Sequence, residues 1–455
     1  MRAKAASQGQ ITIPPKRWPS VFVFNPFAEG YIAQGKAFTP VKHQLRLAQD
    51  LANLPQFLGG PGDFVLTPRR PSGEFLRRLE AAGLGAPEFV ELKAGGIDPE
   101  SRVCQEKFSA LRPWAWGPDS VELLAPLFAQ VAGDKRTAGQ CYNDAVAQLY
   151  SKARSAAILR EVLSGRAGSS WLCSESEAGT AADTLEEALR VITEFRRGGH
   201  HKLVVKEALG VAGHNSIRLW EPELLAAQRK WMANALAHGR QLVIEPWLER
   251  ARDFSVQFEM GPAGLKLCGF TGLVTDLKGQ FQANWAAPDF ARHLPTQVTA
   301  RLSAKISASH LVDFYEEVRE RLEGEFQRAG YQGPAGVDAF VYRAREGGCR
   351  LKPIVEMNPR YTMGRLTLEL MRHTAPGCHG LFRLVGGAAA RGFGGLAACG
   401  QALMAGDPVR VETGKIRAGT LCLNDPGQAQ SCLAVFRAGA WARPGQNTHE
   451  IAVGD

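Results

Sequence analysis

Two periodicities divide this chain. Short apolar runs bounded by Gly, Pro or polar clusters read as strands, and apolar residues recurring at three- and four-residue spacing read as helices. In the first ninety residues strands are expected at 21–24 (Val21-Phe22-Val23-Phe24), 63–66 and 89–92. Helices are expected between them over 41–53 and 72–82, the second capped by Ser72 and ended by Gly83. Strand, helix, strand, helix, strand is the signature of a small parallel α/β unit. The next stretch, 94–126, is rich in Gly, Pro and Trp and reads as irregular.

Helical spacing resumes over 143–162 and 183–196, then strands at 202–206 and 215–219 flank the small-residue turn Ala208-Leu209-Gly210-Val211-Ala212-Gly213-His214. A helix over 224–237 leads to a strand at 241–244 that runs into Glu245-Pro246-Trp247-Leu248-Glu249, and 254–259 alternates as a strand. The strongest amphipathic helix covers 311–329, with Leu311, Phe314, Val318, Leu322 and Phe326 on its apolar side. Two strand runs follow, Gly336-Val337-Asp338-Ala339-Phe340-Val341-Tyr342 and Pro353-Ile354-Val355-Glu356-Met357-Asn358, then a short helix over 366–371. The tail from Gly392 is Gly-rich, with strand-like runs at 420–423 and 432–436, and there is no internal repeat.

Composition narrows the class. At 455 residues and 45% apolar, the chain has the make-up of a globular protein of several domains or subdomains. No apolar run approaches the roughly 20 residues that span a bilayer, and residues 1–17 are basic without an apolar core, which reads as a disordered lead rather than a signal peptide. The net charge of +9 is dispersed in pairs such as Arg69-Arg70 and Arg196-Arg197. That dispersal argues against a nucleic-acid surface. Nine cysteines without CxxC spacing point to reduced thiols and a cytoplasmic location.

The candidate chemistry concentrates in three places. Glu356 and Asn358, two apart on one strand, point to the same face, and Asp338 lies on the neighbouring strand run. Two carboxylates and an amide form a hard-oxygen set suited to Mg²⁺. Arg360 continues that face and implies phosphate chemistry. Upstream, Lys206 closes a strand just before a turn carrying Gly210 and Gly213, where backbone N–H groups can approach phosphate oxygens. Further on, Pro246 interrupts the strand ladder at Glu245-Pro246-Trp247-Leu248, and freed backbone groups there could meet an adenine edge while Trp247 and Leu248 pack on its faces. Asp253 opens the next strand, where a carboxylate could accept ribose hydroxyls. Other motifs carry less. Gly30 to Ala37 comes near a P-loop but ends in Ala37 where a hydroxyl is needed, and Pro40 interrupts the helix that should follow. His373 and His379 have neither helical nor strand ligand spacing, and no serine sits in a G-x-S-x-G elbow.

In this order the elements resemble the ATP-grasp superfamily of carboxylate–amine/thiol ligases, over about 143–371, with the Gly-Val-Asp strand and Glu356-x-Asn358-Pro-Arg360 as the most specific part. The resemblance implies an N-terminal parallel α/β domain, 1–135, followed by a two-lobed ATP-grasp domain, 136–390, and a C-terminal extension, 391–455. It further implies that Lys152 and Lys206 hold phosphates, with Lys135 and Arg154 as neighbouring alternatives to Lys152. The loop bearing Gly210 and Gly213 would cover those phosphates, Glu245, Trp247 and Leu248 would read adenine, and Asp253 the ribose. Asp338, Glu356 and Asn358 would hold Mg²⁺, with Mn²⁺ as an alternative. Arg360 and Arg365 would serve the substrate carboxylate or the transferring phosphoryl group. The expected activity is ATP-dependent, ADP-forming ligation of a small carboxylic acid, such as an amino acid, to an amine through an acyl phosphate. A phosphotransferase on the same fold and a non-catalytic nucleotide-binding module are the alternatives. No nucleic acid or membrane is expected as partner, and homo-oligomerisation stays open.

Overall fold

The computed structural model describes residues 18–166, 169–210, 215–275, 281–294 and 309–440. The described strands form three sheets. The first is a four-stranded parallel sheet in the order β3-β2-β1-β4, from β1 (Ser20–Val23), β2 (Phe64–Thr67), β3 (Glu88–Glu91) and β4 (Ala110–Pro113). Its alternation decides its packing. Val21 and Val23 join one core and Phe22 another, so both faces are covered, as parallel sheets require. The helix Gly73–Ala81 is capped by Ser72, whose Oγ accepts from Phe75 N at 3.3 Å. β4 falls in the stretch expected to be irregular: with only four residues, ending on a proline, it carries no periodic signal.

The second sheet is four-stranded and mixed with loops and helices of its own, in the order β5-β8-β6-β7: β5 (Thr180–Ala182), β6 (Leu203–Glu207), β7 (Ser216–Leu219) and β8 (Leu242–Pro246), all paired antiparallel. Leu203, Val205, Leu242 and Ile244 pack one face against the helices Leu185–Arg197 and Ala226–Ala237 in a core of its own. By parity the other face carries Val204, Lys206, Val243, Glu245, Ser216 and Arg218.

The third sheet has nine strands in the order β13-β12-β9-β10-β11-β14-β17-β16-β15. They are β9 (Glu249–Gly261), β10 (Gly264–Thr275), β11 (Phe281–Ala286), β12 (Gly333–Arg343), β13 (Cys349–Asn358), β14 (His379–Gly386), β15 (Arg410–Glu412), β16 (Lys415–Cys422) and β17 (Cys432–Gly439). The helix Ser309–Ala329 covers one face, burying Leu311, Phe314, Val318, Leu322 and Phe326 as its periodicity demanded. The tail is continuous with this sheet, because β17 pairs along the whole of β14 from His379 to Gly386. The expected helix over 143–162 is two helices, Asp144–Leu149 and Lys152–Ser164. The break puts Lys152 N–H, an unpaired first-turn donor, 2.8 Å from Ala208 O at the end of β6. The architecture is therefore α/β in the N-terminal sheet and α+β beyond it, the class expected from the sequence.

Candidate active site

The site is a ladder of three rungs across β9, β12 and β13. Register places Gln257, Gly336 and Asn358 on the first rung, Ser255, Asp338 and Glu356 on the second, and Asp253, Phe340 and Lys352 on the third. Directly paired residues share a face, so all nine positions look the same way. The expected proximity of Asp338, Glu356 and Asn358 is thus a matter of register: Asp338 is directly opposite Glu356, and Asn358 Nδ2 donates to Asp338 Oδ2 at 3.1 Å. A bulge between Asp338 and Phe340 takes up the proline at Pro353.

Cations converge on this face. Lys152 Nζ lies 2.9 Å from Glu356 Oε1 and donates to Gly210 O at 3.1 Å. Of the two alternatives to it, Arg154 pairs with Glu325 and Lys135 is exposed. Lys206, on the inner face of the four-stranded sheet, pairs with Glu245 Oε1. Arg360 Nη2 donates to Asn358 Oδ1 at 2.9 Å, and its Nε donates to Glu29 Oε1 at 2.7 Å. Arg365 lies elsewhere in the network. Its guanidinium is held by Glu259 at 2.8 Å and Glu369 at 2.8 Å under the helix Met363–Met371, apart from the Asp338–Glu356 pair.

The remaining expected residues are distributed around the ladder. Asp253 is on the third rung, with Oδ1 accepting from Arg250 at 2.9 Å. Glu245 is buried at the end of β8, Leu248 packs on the main core, and Trp247 is half-exposed with the Arg218 guanidinium 4.9 Å from its ring centre. The Trp247 N–H is already used, donating to Lys202 O at 2.8 Å. Gly210 has φ +144°, backbone that glycine adopts freely, while Gly213 lies outside the described residues. Gly30 is inside the helix Ala28–Gln34, where an added Cβ would sit 2.4 Å from the Phe38 ring, so the near-P-loop run is ordinary packing.

Two residues escaped the sequence reading. Lys352 is 2% exposed, with Nζ 2.9 Å from Glu245 Oε2 and 3.1 Å from Glu177 O. Its parity with Glu356, four residues on in the same strand, was the available signal. Glu29 had none, because only the tertiary fold brings it to Arg360.

Burial and like charge shape the electrostatics. Burial, then the neighbouring Glu356 charge, push the Asp338 carboxyl up to about 6. Burial also opposes ionisation of Glu356, but Lys152, Lys206 and Arg360 together outweigh it and hold that carboxyl below its usual range. For Lys152, burial is likewise overcome by Glu356, and the ammonium is held above its usual range. Burial raises the Asp253 carboxyl against the pull of Arg250.

A divalent cation fits this donor set. Asp338 and Glu356 are a like-charged buried pair with an amide beside them, a hard-oxygen arrangement that a small cation would relieve. Among the described residues no cluster of three or more His, Cys, Asp and Glu side chains offers a competing site.

No protein-family model and no curated protein matches the sequence. Among solved structures, the chain is similar to N5-carboxyaminoimidazole synthetase from Staphylococcus aureus complexed with ADP, at 11% identity over 94% of each chain with a TM-score of 0.47. It is similar to the biotin carboxylase domain of Hydrogenobacter thermophilus 2-oxoglutarate carboxylase with MgADP and bicarbonate, at 10% identity over 94% of this chain and 87% of that one, TM-score 0.49. D-cycloserine synthetase is similar over 65% of this chain and 91% of its own, at 17% identity and a TM-score of 0.36. Among the described residues no helix is long and apolar enough to cross a membrane.

Proposed function

We propose that this chain is an ATP-dependent, ADP-forming ligase of the ATP-grasp kind that joins a small carboxylic acid to an amine. The observation that carries the reading is the second rung: Asp338 directly opposite Glu356, with Lys152 on one side and Asn358 and Arg360 on the other. Carboxylates and cations meeting on one face beside the edge strand β13 suit a triphosphate and its metal better than they suit core packing, where apolar residues of like volume would serve stability as well.

In this reading Asp338, Glu356 and Asn358 hold Mg²⁺, which supplies charge neutralisation at the phosphates when bound. Lys152 and Lys206 hold phosphate oxygens, exchanging their present carboxylate partners for them. Glu245, Trp247 and Leu248 border the base and Asp253 the ribose, with Phe340 beneath. Arg360 orients the substrate carboxylate toward the γ-phosphorus, and Glu29 keeps its guanidinium aimed. A carboxylate oxygen attacks phosphorus, ADP leaves, and the acyl phosphate is captured by an amine with release of phosphate. Holding both partners in line converts a bimolecular encounter into a positioned reaction. Arg365 then acts as a support of the floor rather than as a substrate contact, since two carboxylates already occupy it.

The test is ADP release measured across paired acids and amines, with Glu356→Ala as the blank. ADP and free phosphate appearing only when both an acid and an amine are present supports ligation. A stable phosphorylated product with no need for an amine contradicts it.

A further inference from the structure

Between the two sheets lies a buried triad that the reaction above leaves half used. Glu245, 8% exposed, stands between two ammonium groups and gives one oxygen to each, Oε1 to Lys206 and Oε2 to Lys352 at 2.9 Å. The two lysines differ. Lys352 is 2% exposed, also donates to Glu177 O at 3.1 Å, and lies 6.0 Å from the centre of the Phe340 ring, so it is fixed on the third rung. The Lys206 side chain is 20% exposed on the inner face of the other sheet, at the end nearest Glu356.

We infer that Lys352 is a positioning residue that frees Lys206 to leave Glu245 for a nucleotide phosphate. With one lysine, a buried carboxylate would hold its only counter-ion, because stripping a buried charge of its partner is costly. With two, Lys206 can swing away while Lys352 still compensates Glu245. The charge count agrees: two ammonium groups and one carboxylate leave a surplus of one positive charge facing the cleft. Removing Lys352 cancels the surplus. Burial opposes ionisation of Glu245, yet Lys206 and Lys352 together hold its carboxyl below the usual range, so it stays charged throughout.

The inference rests on the nucleotide reading and is tested apart from it. ATP and adenosine are titrated against the full chain, and the ratio of the two affinities is compared between variants. Lys352→Met should lower that ratio about tenfold or more, since Lys206 remains on Glu245 and only the phosphates lose it. Adding Glu245→Gln to Lys352→Met should restore the ratio to at least the wild-type value, because Lys206 then has no buried carboxylate to serve. A purely structural tie between sheets predicts otherwise: both affinities fall together, the ratio stays, and the second substitution rescues nothing. That outcome overturns the inference while leaving ATP binding by the wild type intact. Failure of the wild type to bind ATP overturns both readings. Should Lys352→Met not fold, the double variant, in which no buried carboxylate is left short of a counter-ion, decides alone: an ATP-to-adenosine ratio below the wild-type value contradicts the inference.

Discussion

Asp338 and Glu356 set the residue-scale behaviour. Facing carboxylates cannot both ionise without cost, and the cost falls on Asp338, whose carboxyl is pushed up to about 6 by burial and by Glu356. The sign follows from linkage. The ordinary value is 3.8, so the folded protein binds a proton on Asp338 that the unfolded chain releases between about 6 and 3.8. Stability from this group is therefore present at low pH and lost as pH rises through about 6. A divalent cation competes with that proton. Thermal stabilisation by Mg²⁺ with ATP should be larger at pH 7.5 than at pH 5, and Asp338→Asn should flatten the difference. Equal stabilisation at both pH values would remove Asp338 from the metal set. Glu356→Ala should lower ADP formation by about 10²–10³-fold, the scale of losing one preorganised electrostatic group, with near-native circular dichroism. These residues were legible in sequence because strand parity reports facing without a structure. Lys352 was legible by the same rule, but a lysine in a strand otherwise reads as an edge residue. Arg365 and Glu369 stand four apart on one helix, so their ion pair is legible from spacing, whereas Glu259 reaches Arg365 only through the tertiary fold.

At the scale of elements, helix and strand hold each other in place at the site. Ser155 Oγ, buried in the helix Lys152–Ser164, accepts from Met357 N at 3.0 Å, fixing the backbone between Glu356 and Asn358 to the helix that carries Lys152. Ser155→Ala leaves that N–H without its partner and should cost about 1–3 kcal/mol, read as a lower denaturation midpoint. The loss of nucleotide affinity should exceed that of an equally destabilising change elsewhere. Gly272 makes such a comparison. A Cβ there would lie 1.9 Å from the Trp285 ring, so Gly272→Ala should cost about 1–3 kcal/mol by overpacking, on the face of the sheet opposite the three rungs. The long amphipathic helix and the β6, β8 and β12 strands could be read from periodicity alone. β5, β10, β11 and β14 could not: Gly264 to Thr275 mixes Gly, Lys and Thr with apolar residues, and only pairing with β9 makes it a strand. The break between the helices Asp144–Leu149 and Lys152–Ser164 was hidden for a similar reason, since Tyr150 and Ser151 fit a helical pattern as well as an interruption.

The whole molecule places the parallel N-terminal sheet against the end of β13. Ala115 bridges Arg360, Tyr361 N donates to Trp114 O at 2.8 Å, and the Tyr150 hydroxyl is 3.0 Å from both Trp116 O and Pro359 O. Glu29 completes the junction through Arg360. The N-terminal region thus touches the arginine proposed to orient the acid, a contact between positions over 300 residues apart that no local pattern encodes. Glu29→Gln should raise KM for the acid substrate more than it lowers kcat, because the guanidinium stays charged but loses its aim. An unchanged KM would make Glu29 a structural contact only. The account as a whole stands on one claim, that the Asp338–Glu356 rung is the metal end of an ATP cleft. Calorimetric titration of ATP with and without Mg²⁺, on the wild type and on Glu356→Ala, addresses it most directly. Mg²⁺ should tighten ATP binding to the wild type and have little effect on the variant. Absence of ATP binding to the wild type, or the same Mg²⁺ effect in both proteins, would contradict it.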